Sequence, residues 1–163
     1  PGDADWSLSA DRFGSGARGA MQGFRIREDL DCLALNIYFE ARSESTLGRR
    51  AVGHVVMNRV NHRDFPHSIC EVVRQGGSRV LNRCQFSWWC DGQSDIPYNR
   101  VQWILALKLA YNIYTGASKD PTGGALWYHA DYSNPTWGRA FRRGPKIGRH
   151  IFYRESHAKS RFL

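Results

Sequence analysis

Residues 33–44 read LALNIYFEARSE, and this stretch determines the first helix of the fold. Apolar residues in and around it recur at the i, i+3, i+4, i+7 and i+11 positions of one helix face. They are Leu30, Leu33, Ala34, Ile37 and Ala41. This spacing predicts an amphipathic helix over residues 29–43, with its apolar face packed against a core.

Glu40 lies one turn beyond Ile37, at the edge of that apolar face. A carboxyl group in this position is partly desolvated, which disfavours the charged form and raises the pKa. A glutamic acid that stays protonated near neutral pH can act as a general acid. The alternative is an exposed helix residue paired with a basic neighbour. Glu44, one turn later, is either a second carboxylate of the same site or a helix-end residue bonded to the backbone.

Further helices are predicted downstream. Residues 46–61 carry apolar side chains at helical spacing. Ser68 and Glu71 form a capping box, which opens a short helix. Asn99 is placed to cap a helix over residues 100–114.

The last third of the chain has a different pattern. The segments ALWYHA (125–130) and RHIFYR (149–154) are short, aromatic or β-branched, and bounded by glycine, so they predict two antiparallel strands. Helices followed by strands predict an α+β fold. Residues 1–28 show no sustained periodicity and are predicted to be a linker or loosely ordered arm, which leaves residues 29–163 as the folded domain.

The composition fits one globular domain. The chain has 163 residues, of which 42% are hydrophobic, enough for a single core. Its apolar runs fall well short of the roughly 20 residues that a transmembrane helix needs. No signal peptide is visible and the chain starts at Pro1 without Met, so we interpret it as processed or trimmed, with its targeting segment missing.

The net charge is +8 and the pI is about 9.7. Basic residues are concentrated towards the C-terminus, where residues 139–163 hold eight arginines and lysines against the single acidic residue Glu155. A charge of this sign predicts an anionic partner: nucleic acid, a membrane surface or the bacterial cell wall. It raises encounter rates but does not select a substrate.

The four cysteines are Cys32, Cys70, Cys84 and Cys90. They include no CxxC motif, and their spacing does not suit zinc. An even number fits two disulfides in an oxidising compartment, and the alternative is four reduced, buried thiols. Of the three possible pairings we favour Cys84–Cys90, closing a Trp-rich loop, with Cys32–Cys70 joining two helices.

The segment CQFSWWCDG (84–92) combines hydrogen-bonding groups with flat rings. Gln85 and Ser87 offer polar tips, whereas Phe86, Trp88 and Trp89 offer stacking surfaces. Carbohydrate sites need both, so the segment is a candidate wall of a sugar-binding groove. The alternative is a loop whose tryptophans fill the core.

The segment DPTGGALWYHADYSNPTW (120–137) contains Tyr128 and His129 on alternate faces of a predicted strand. His54, His62 and His67 are poorly spaced for a metal. The chain also has no GxGxxG, P-loop, HExxH or GxSxG motif. We therefore expect neither a metal nor a cofactor.

Six motifs occur in order along the chain: LALNIYFEARSE, GRRAVGHVVMNRV, SICEVV, CQFSWWCDG, DPTGGALWYHA and IGRHIFYR. Together they resemble the SleB/CwlJ family of bacterial cell-wall hydrolases, which includes the spore cortex-lytic enzymes. The resemblance covers residues 29–154. Several motifs in one order are far more specific than any one of them.

The resemblance implies a small lysozyme-like or lytic-transglycosylase-like domain, helical with a small antiparallel β-sheet, that cleaves peptidoglycan. The family's signature glutamate falls on Glu40, which implies the catalytic general-acid role. The segments QFSW and WYH match those expected to line the glycan groove. Candidate substrate-binding residues are Glu44, Gln85, Phe86, Ser87, Trp88, Asp91, Tyr128 and His129. The cysteines depart from what is expected of spore enzymes, and they predict a secreted protein of the periplasm or cell envelope.

The expected substrate is a glycan strand of alternating N-acetylglucosamine and N-acetylmuramic acid. Lytic transglycosylation needs only Glu40, whereas hydrolysis needs a second carboxylate, for which Glu44 or Asp91 is the candidate. The sequence favours the first route, because Glu44 lies on the same helix face as Glu40.

Two classes without this chemistry remain as alternatives. A peptidoglycan-binding module would not need Glu40, and a nucleic-acid binder would explain the charge but not the motifs. We expect a monomer that acts on peptidoglycan in the anionic cell envelope and does not bind nucleic acid.

Overall fold

A long helix, α1 (Ala10–Ala41), runs through the protein and carries Glu40 in its last turn. The computed structural model describes residues 10–76 and 84–156, with side chains from residue 19 onwards. The predicted apolar face of α1 is confirmed, since Leu33, Ala34 and Ile37 are fully buried. These residues fix the rotation of the helix, and so the direction in which Glu40 points.

The predicted start of α1 at residue 29 was wrong, because the helix begins at Ala10. Residues 10–28, predicted to be a linker or loosely ordered arm, are therefore helical, whereas residues 1–9 of that segment lie outside the described part. Four glycines obscured the signal, but the segment is otherwise rich in helix formers such as Ala, Arg, Met and Gln. Residues 19–28 are exposed, so they need no apolar stripe.

The remaining helices are α2 (Thr46–Val60), α3 (Ile69–Val73) and α4 (Arg100–Tyr114). The predicted caps of α3 and α4 are confirmed: the side chains of Ser68 and Asn99 accept hydrogen bonds from backbone N–H groups in the first turn. Each satisfies a donor that has no partner inside the helix.

Three strands form one antiparallel sheet: β1 (Trp127–Ala130), β2 (Arg142–Ile147) and β3 (His150–Arg154), in the order β1-β3-β2. The predicted strands are confirmed as β1 and β3, which pair directly. The sequence missed β2 because it reads RRGPKI, which is charged and contains Gly and Pro. Pro145 is tolerated because β2 is an edge strand with an irregular register.

The core lies around α1, which packs against α2, α3 and α4. Gly53 allows the close approach of three helices: a Cβ there would lie 2.6 Å from Cδ1 of Ile113 and 3.0 Å from Cδ1 of Ile37. A second cluster packs Val52 and Val55 of α2 against Phe152 of the sheet. The α+β prediction is thus confirmed.

Both predicted disulfides are present, Cys32–Cys70 between α1 and α3 and Cys84–Cys90 across a short loop. The first crosslinks residues 38 apart in sequence, and in the chain-entropy account such a link contributes about 2–4 kcal/mol of stability. None of the described helices is both long and apolar enough to cross a membrane.

Candidate active site

A cavity of about 850 Å³ opens beside the C-terminal turn of α1. We call it the groove. Its volume lies within the roughly 300–1,000 Å³ of small-molecule sites, towards the upper end. The lining residues come from α1, α2, the segment 84–99, β1 with its following turn, and β3. They are Tyr38, Phe39, Glu40, Arg42, Arg59, Cys84, Gln85, Phe86, Ser87, Trp88, Asp91, Gln93, Ser94, Asp95, Ile96, Tyr98, Asn99, Tyr128, His129, Ala130, Tyr132 and His150.

Glu40 lines this groove, and its carboxyl group is held in place by Tyr128. The Tyr128 hydroxyl donates a hydrogen bond of 3.0 Å to Oε2 of Glu40. Burial raises the pKa of Glu40 above its ordinary value, whereas the Tyr128 hydrogen bond and the positive charge of Arg59 lower it. Burial is the largest of these influences, so Glu40 retains its proton to higher pH than an exposed glutamic acid.

Arg59 is the second charged group beneath the groove. It is 1% exposed, and its guanidinium lies against the rings of Phe65 and Phe86, 5.2 Å from each centroid. Its Nε donates a 2.7 Å hydrogen bond to the carbonyl of Leu126. Burial lowers the pKa of Arg59 to about 10, which still leaves it positively charged at neutral pH.

Aromatic side chains form one wall of the groove, in the Trp-rich segment of the sequence. Trp88 stacks on Phe39 with 4.9 Å between ring centroids, and its indole N–H donates to Oδ1 of the buried Asn36. Trp88 is only 6% exposed and Phe86 is also buried. These two rings therefore line the groove with little exposed area and pack mainly into the core, as in the alternative raised for this segment.

Polar residues of the same segment face outwards. Gln85 and Ser87 are exposed and line the groove. Asp91 also lines it, together with Asp95, which sequence reasoning missed. Burial and the charge of Asp91 raise the pKa of Asp95. Two carboxyl groups of the 84–99 segment thus line the same groove as Glu40.

His129 lines the groove, but both of its ring nitrogens already have partners within the protein. Nε2 lies 2.9 Å from the hydroxyl of Tyr153, and Nδ1 lies 2.8 Å from the carbonyl of Ala130. Since a carbonyl only accepts, Nδ1 is the donor and Nε2 accepts from Tyr153. The ring is therefore fixed in one orientation, stacked on Tyr153.

Glu44 lies apart from the other candidates, because its carboxylate serves the turn between β2 and β3. Both of its oxygens accept from the backbone N–H of Arg149, at 3.3 Å. Its side chain is 8% exposed, and Oε1 lies 3.8 Å from Nδ1 of His150. Glu44 does not line the groove, in contrast to the prediction that it contacts substrate. It is instead a helix-end residue bonded to the backbone, the other role considered for it from the sequence.

Two exposed aromatic residues at the groove were missed from the sequence. Tyr98 is 75% exposed and Tyr132 is 80% exposed, and both line the groove. A sugar ring can stack on such exposed faces. The available signal was a lone tyrosine in each of two polar loops, DIPYNR and ADYSNP.

Arg59 was also missed, although the sequence carries a signal for it. It follows Val52, Val55 and Val56 at the spacing of one helix face, and all three valines are fully buried. A charged residue that continues an apolar face is either buried there or extends its charged end to solvent. Arg59 is buried in this structure.

Three residues outside the groove bring possible metal ligands together. The ligand atoms of His62, Asp64 and Glu155 lie within 4.8 Å of one another. However, Nδ1 of His62 accepts from the backbone N–H of Asp64, so Nε2 carries the proton and faces Glu155 at 3.4 Å. The imidazole therefore presents no free lone pair to a metal ion.

A mostly buried carboxyl group with a raised pKa, set in a groove with stacking and hydrogen-bonding groups, is the arrangement of a glycan-cleaving enzyme. The chain belongs to the Cell Wall Hydrolase family, whose profile matches residues 43–153. Glu40 lies three residues before the matched range. The resemblance that the six motifs carry is thereby confirmed.

Curated relatives are spore cortex-lytic enzymes. That of Bacillus cereus is 32% identical over 127 residues, which are 77% of this chain and 44% of the relative. That of Bacillus subtilis strain 168 is 29% identical over 133 residues, which are 81% of this chain and 39% of the relative. The chain thus spans less than half the length of these two proteins.

Two solved structures are similar to this fold. The catalytic domain of the germination-specific lytic transglycosylase SleB from Bacillus anthracis has a TM-score of 0.61 and 32% identity, covering 77% of this chain and 93% of that one. The catalytic domain of Bacillus cereus SleB has a TM-score of 0.60 and 29% identity, covering 78% and 91%. The predicted lytic-transglycosylase-like fold is confirmed.

Proposed function

We propose that this protein cleaves peptidoglycan glycan strands between N-acetylmuramic acid and N-acetylglucosamine by lytic transglycosylation, with Glu40 as general acid and then general base. The observation that carries the proposal is the carboxyl group of Glu40, which lines the groove, accepts a hydrogen bond from Tyr128 and has a raised pKa. The similarity to a lytic transglycosylase catalytic domain supports the same reaction.

In the first step, protonated Glu40 gives its proton to the glycosidic oxygen. The bond between that oxygen and C1 of muramic acid breaks, and the sugar passes through an oxocarbenium-like state. In the second step, the 6-hydroxyl of the same sugar attacks C1 and loses its proton to the Glu40 carboxylate. A 1,6-anhydro ring closes, and Glu40 is protonated again without consuming water.

Hydrolysis is the second candidate, because Asp91 and Asp95 line the groove together with Glu40. One of them would activate a water molecule or attack the sugar directly. Glu44 has no part in either route, because its carboxylate is bonded to the turn at Arg149.

Gln85 and Ser87 are proposed to hydrogen-bond the sugar hydroxyl and acetamido groups, since both are exposed in the groove. Phe86, Trp88 and His129 support the groove wall from behind. Because two disulfides persist only in an oxidising environment, we infer that the protein acts outside the cytoplasm. Its substrate there is the peptidoglycan itself.

Digestion of purified peptidoglycan followed by mass spectrometry tests the proposal. We expect anhydromuramic ends from the wild type, and a loss of on the order of 100-fold or more in the Glu40→Gln variant, as is typical when a general acid is removed. Asp91→Asn and Asp95→Asn should retain anhydro products. Reducing ends that disappear in either Asp variant would establish hydrolysis instead. Products that form equally well in Glu40→Gln would contradict catalysis by Glu40.

A further inference from the structure

We propose that Arg59 is a positioning residue that supplies the counter-charge for the carboxylate that Glu40 becomes after donating its proton. The inference rests on the proposed function, because it concerns the ionised intermediate of that reaction. We assign Arg59 no contact with the substrate, since its side chain is almost fully buried at the base of the groove.

The first argument is that Arg59 is a buried cation without a direct ion pair. Among the described residues, no carboxylate forms a salt bridge with it, and its Nη1 has no hydrogen-bond partner. Burying a charge in this way is unfavourable unless it is compensated. The rings of Phe65 and Phe86 and the carbonyl of Leu126 compensate it in part.

A second argument is the position of the charge relative to the reaction. Arg59 and Glu40 line the same groove, and the positive charge of Arg59 lowers the pKa of Glu40 against the effect of burial. Burial disfavours the ionised form of Glu40 that the first step produces. Without the cation of Arg59, only the hydrogen bond from Tyr128 would stabilise that carboxylate. A Glu40 that cannot remain ionised cannot act as the base that accepts the proton of the 6-hydroxyl.

The other titratable and charged groups that face the groove come from several elements. They are Tyr38, Arg42, Asp91, Asp95, Tyr98, His129, Tyr132 and His150. None of them is among the influences on the pKa of Glu40, which are burial, Tyr128 and Arg59. Arg59 is the one positive charge among those influences, so its substitution should be followed by a change in the titration of Glu40.

The test is a titration of Glu40 by carbon NMR of the intact protein labelled at glutamate carboxyl carbons. The chain has five glutamates, and the signal that Glu40→Gln removes identifies Glu40. In Arg59→Met we expect the Glu40 midpoint to move to higher pH, and in Arg59→Lys to move less, because a charge is retained. Phe65→Leu is the matched control: it loosens the packing around Arg59 but keeps the charge, so the midpoint should not move.

Kinetics on soluble glycan strands provide the second measurement. In Arg59→Met we expect kcat to fall on the order of ten- to 100-fold with KM nearly unchanged, and Arg59→Lys to restore part of the loss. If Arg59→Met does not fold, Arg59→Lys is compared with the wild type instead. The lysine ammonium lacks the fork geometry of arginine and loses its charge more readily when buried, so kcat should still be lower than in the wild type.

Two outcomes would overturn the inference. One is a Glu40 midpoint that stays at its wild-type pH in both Arg59 variants. The other is a loss of activity matched by Phe65→Leu, which would mean that Arg59 acts through packing alone. A wild type that releases no anhydro ends while the Glu40 midpoint still shifts would count against the proposed reaction, but not against the electrostatic link.

Discussion

The acidity of Glu40 results from opposing influences at a single residue. Burial favours the neutral acid, which is the form that protonates a glycosidic oxygen. Tyr128 and Arg59 favour the carboxylate, which is the form that accepts a proton afterwards. In the proposed reaction Glu40 acts first as acid and then as base, which needs both influences, because either one alone would favour a single protonation state.

Replacing Tyr128 with Phe removes a hydrogen bond that lowers the pKa of Glu40. The pKa of Glu40 should therefore rise further. Because the acid role needs the protonated form, activity falls as pH rises through that pKa. We expect the alkaline limb of the kcat/KM profile to move to higher pH in Tyr128→Phe, with a lower maximal rate.

Tyr153→Phe is the control for this prediction, since it removes a hydroxyl that is bonded to His129 and not to Glu40. Its alkaline limb should coincide with that of the wild type. An unchanged limb in Tyr128→Phe, or one displaced to lower pH, would show that the hydrogen bond does not control the proton on Glu40.

At the residue scale, helical spacing placed Glu40 at the edge of an apolar face, and the family resemblance of FEAR implied its catalytic role; in the structure Glu40 lines the groove. It could not identify the partners of Glu40. Tyr128 is 88 positions away, and its contact with Glu40 depends on how the sheet docks on the helices. Arg59 was marked by its apolar neighbours, but the same pattern also fits a charged side chain that reaches solvent.

At the element scale, Glu44 joins the end of α1 to the turn between β2 and β3. Gly148 in that turn has φ of +58°, and a Cβ there would lie 1.9 Å from Oε2 of Glu44. The turn therefore needs glycine for its backbone conformation and for the space that the carboxylate occupies. This contact holds the sheet, and with it Tyr128, against the helix that carries Glu40.

Gly148→Ala should lower the free energy of unfolding by about 1–3 kcal/mol, because it adds left-handed backbone strain and a clash. Gly116→Ala is the matched control: its φ is +77°, and a Cβ there would have no neighbour within 4 Å. Urea unfolding should show the larger loss in Gly148→Ala. Equal losses of unfolding free energy in the two variants would mean that the Glu44 carboxylate does not pack closely against Gly148.

The elements differ in how far the sequence could predict them. The helix caps at Ser68 and Asn99 are local signals, and both were read correctly. β2 was missed because its pairing with β3 overrides a poor strand composition, which includes Pro145. The first part of α1 was missed in the sequence, and its residues 19–28 are exposed, so they need no apolar periodicity.

For the whole molecule, the charge of +8 concerns association more than chemistry. We expect the Glu40→Gln variant to bind anionic peptidoglycan more weakly as salt rises from about 0.01 M to about 1 M, over which the screening length falls from about 30 Å to about 3 Å. Sedimentation with insoluble peptidoglycan measures this directly. Binding to neutral chitin oligosaccharides should depend far less on salt, and equal salt dependence for both polymers would exclude charge as the cause.

The groove is assembled from pieces of the chain that lie far apart in sequence: the ends of α1 and α2, the segment 84–99, and the sheet. Tyr128 and its partner strand β3 can meet Glu40 only after the ribosome has released the chain as far as Arg154. Chains that stop before β3 would then lack the strand that positions Tyr128 beside Glu40. Under the proposed function, such chains should not cleave glycan strands.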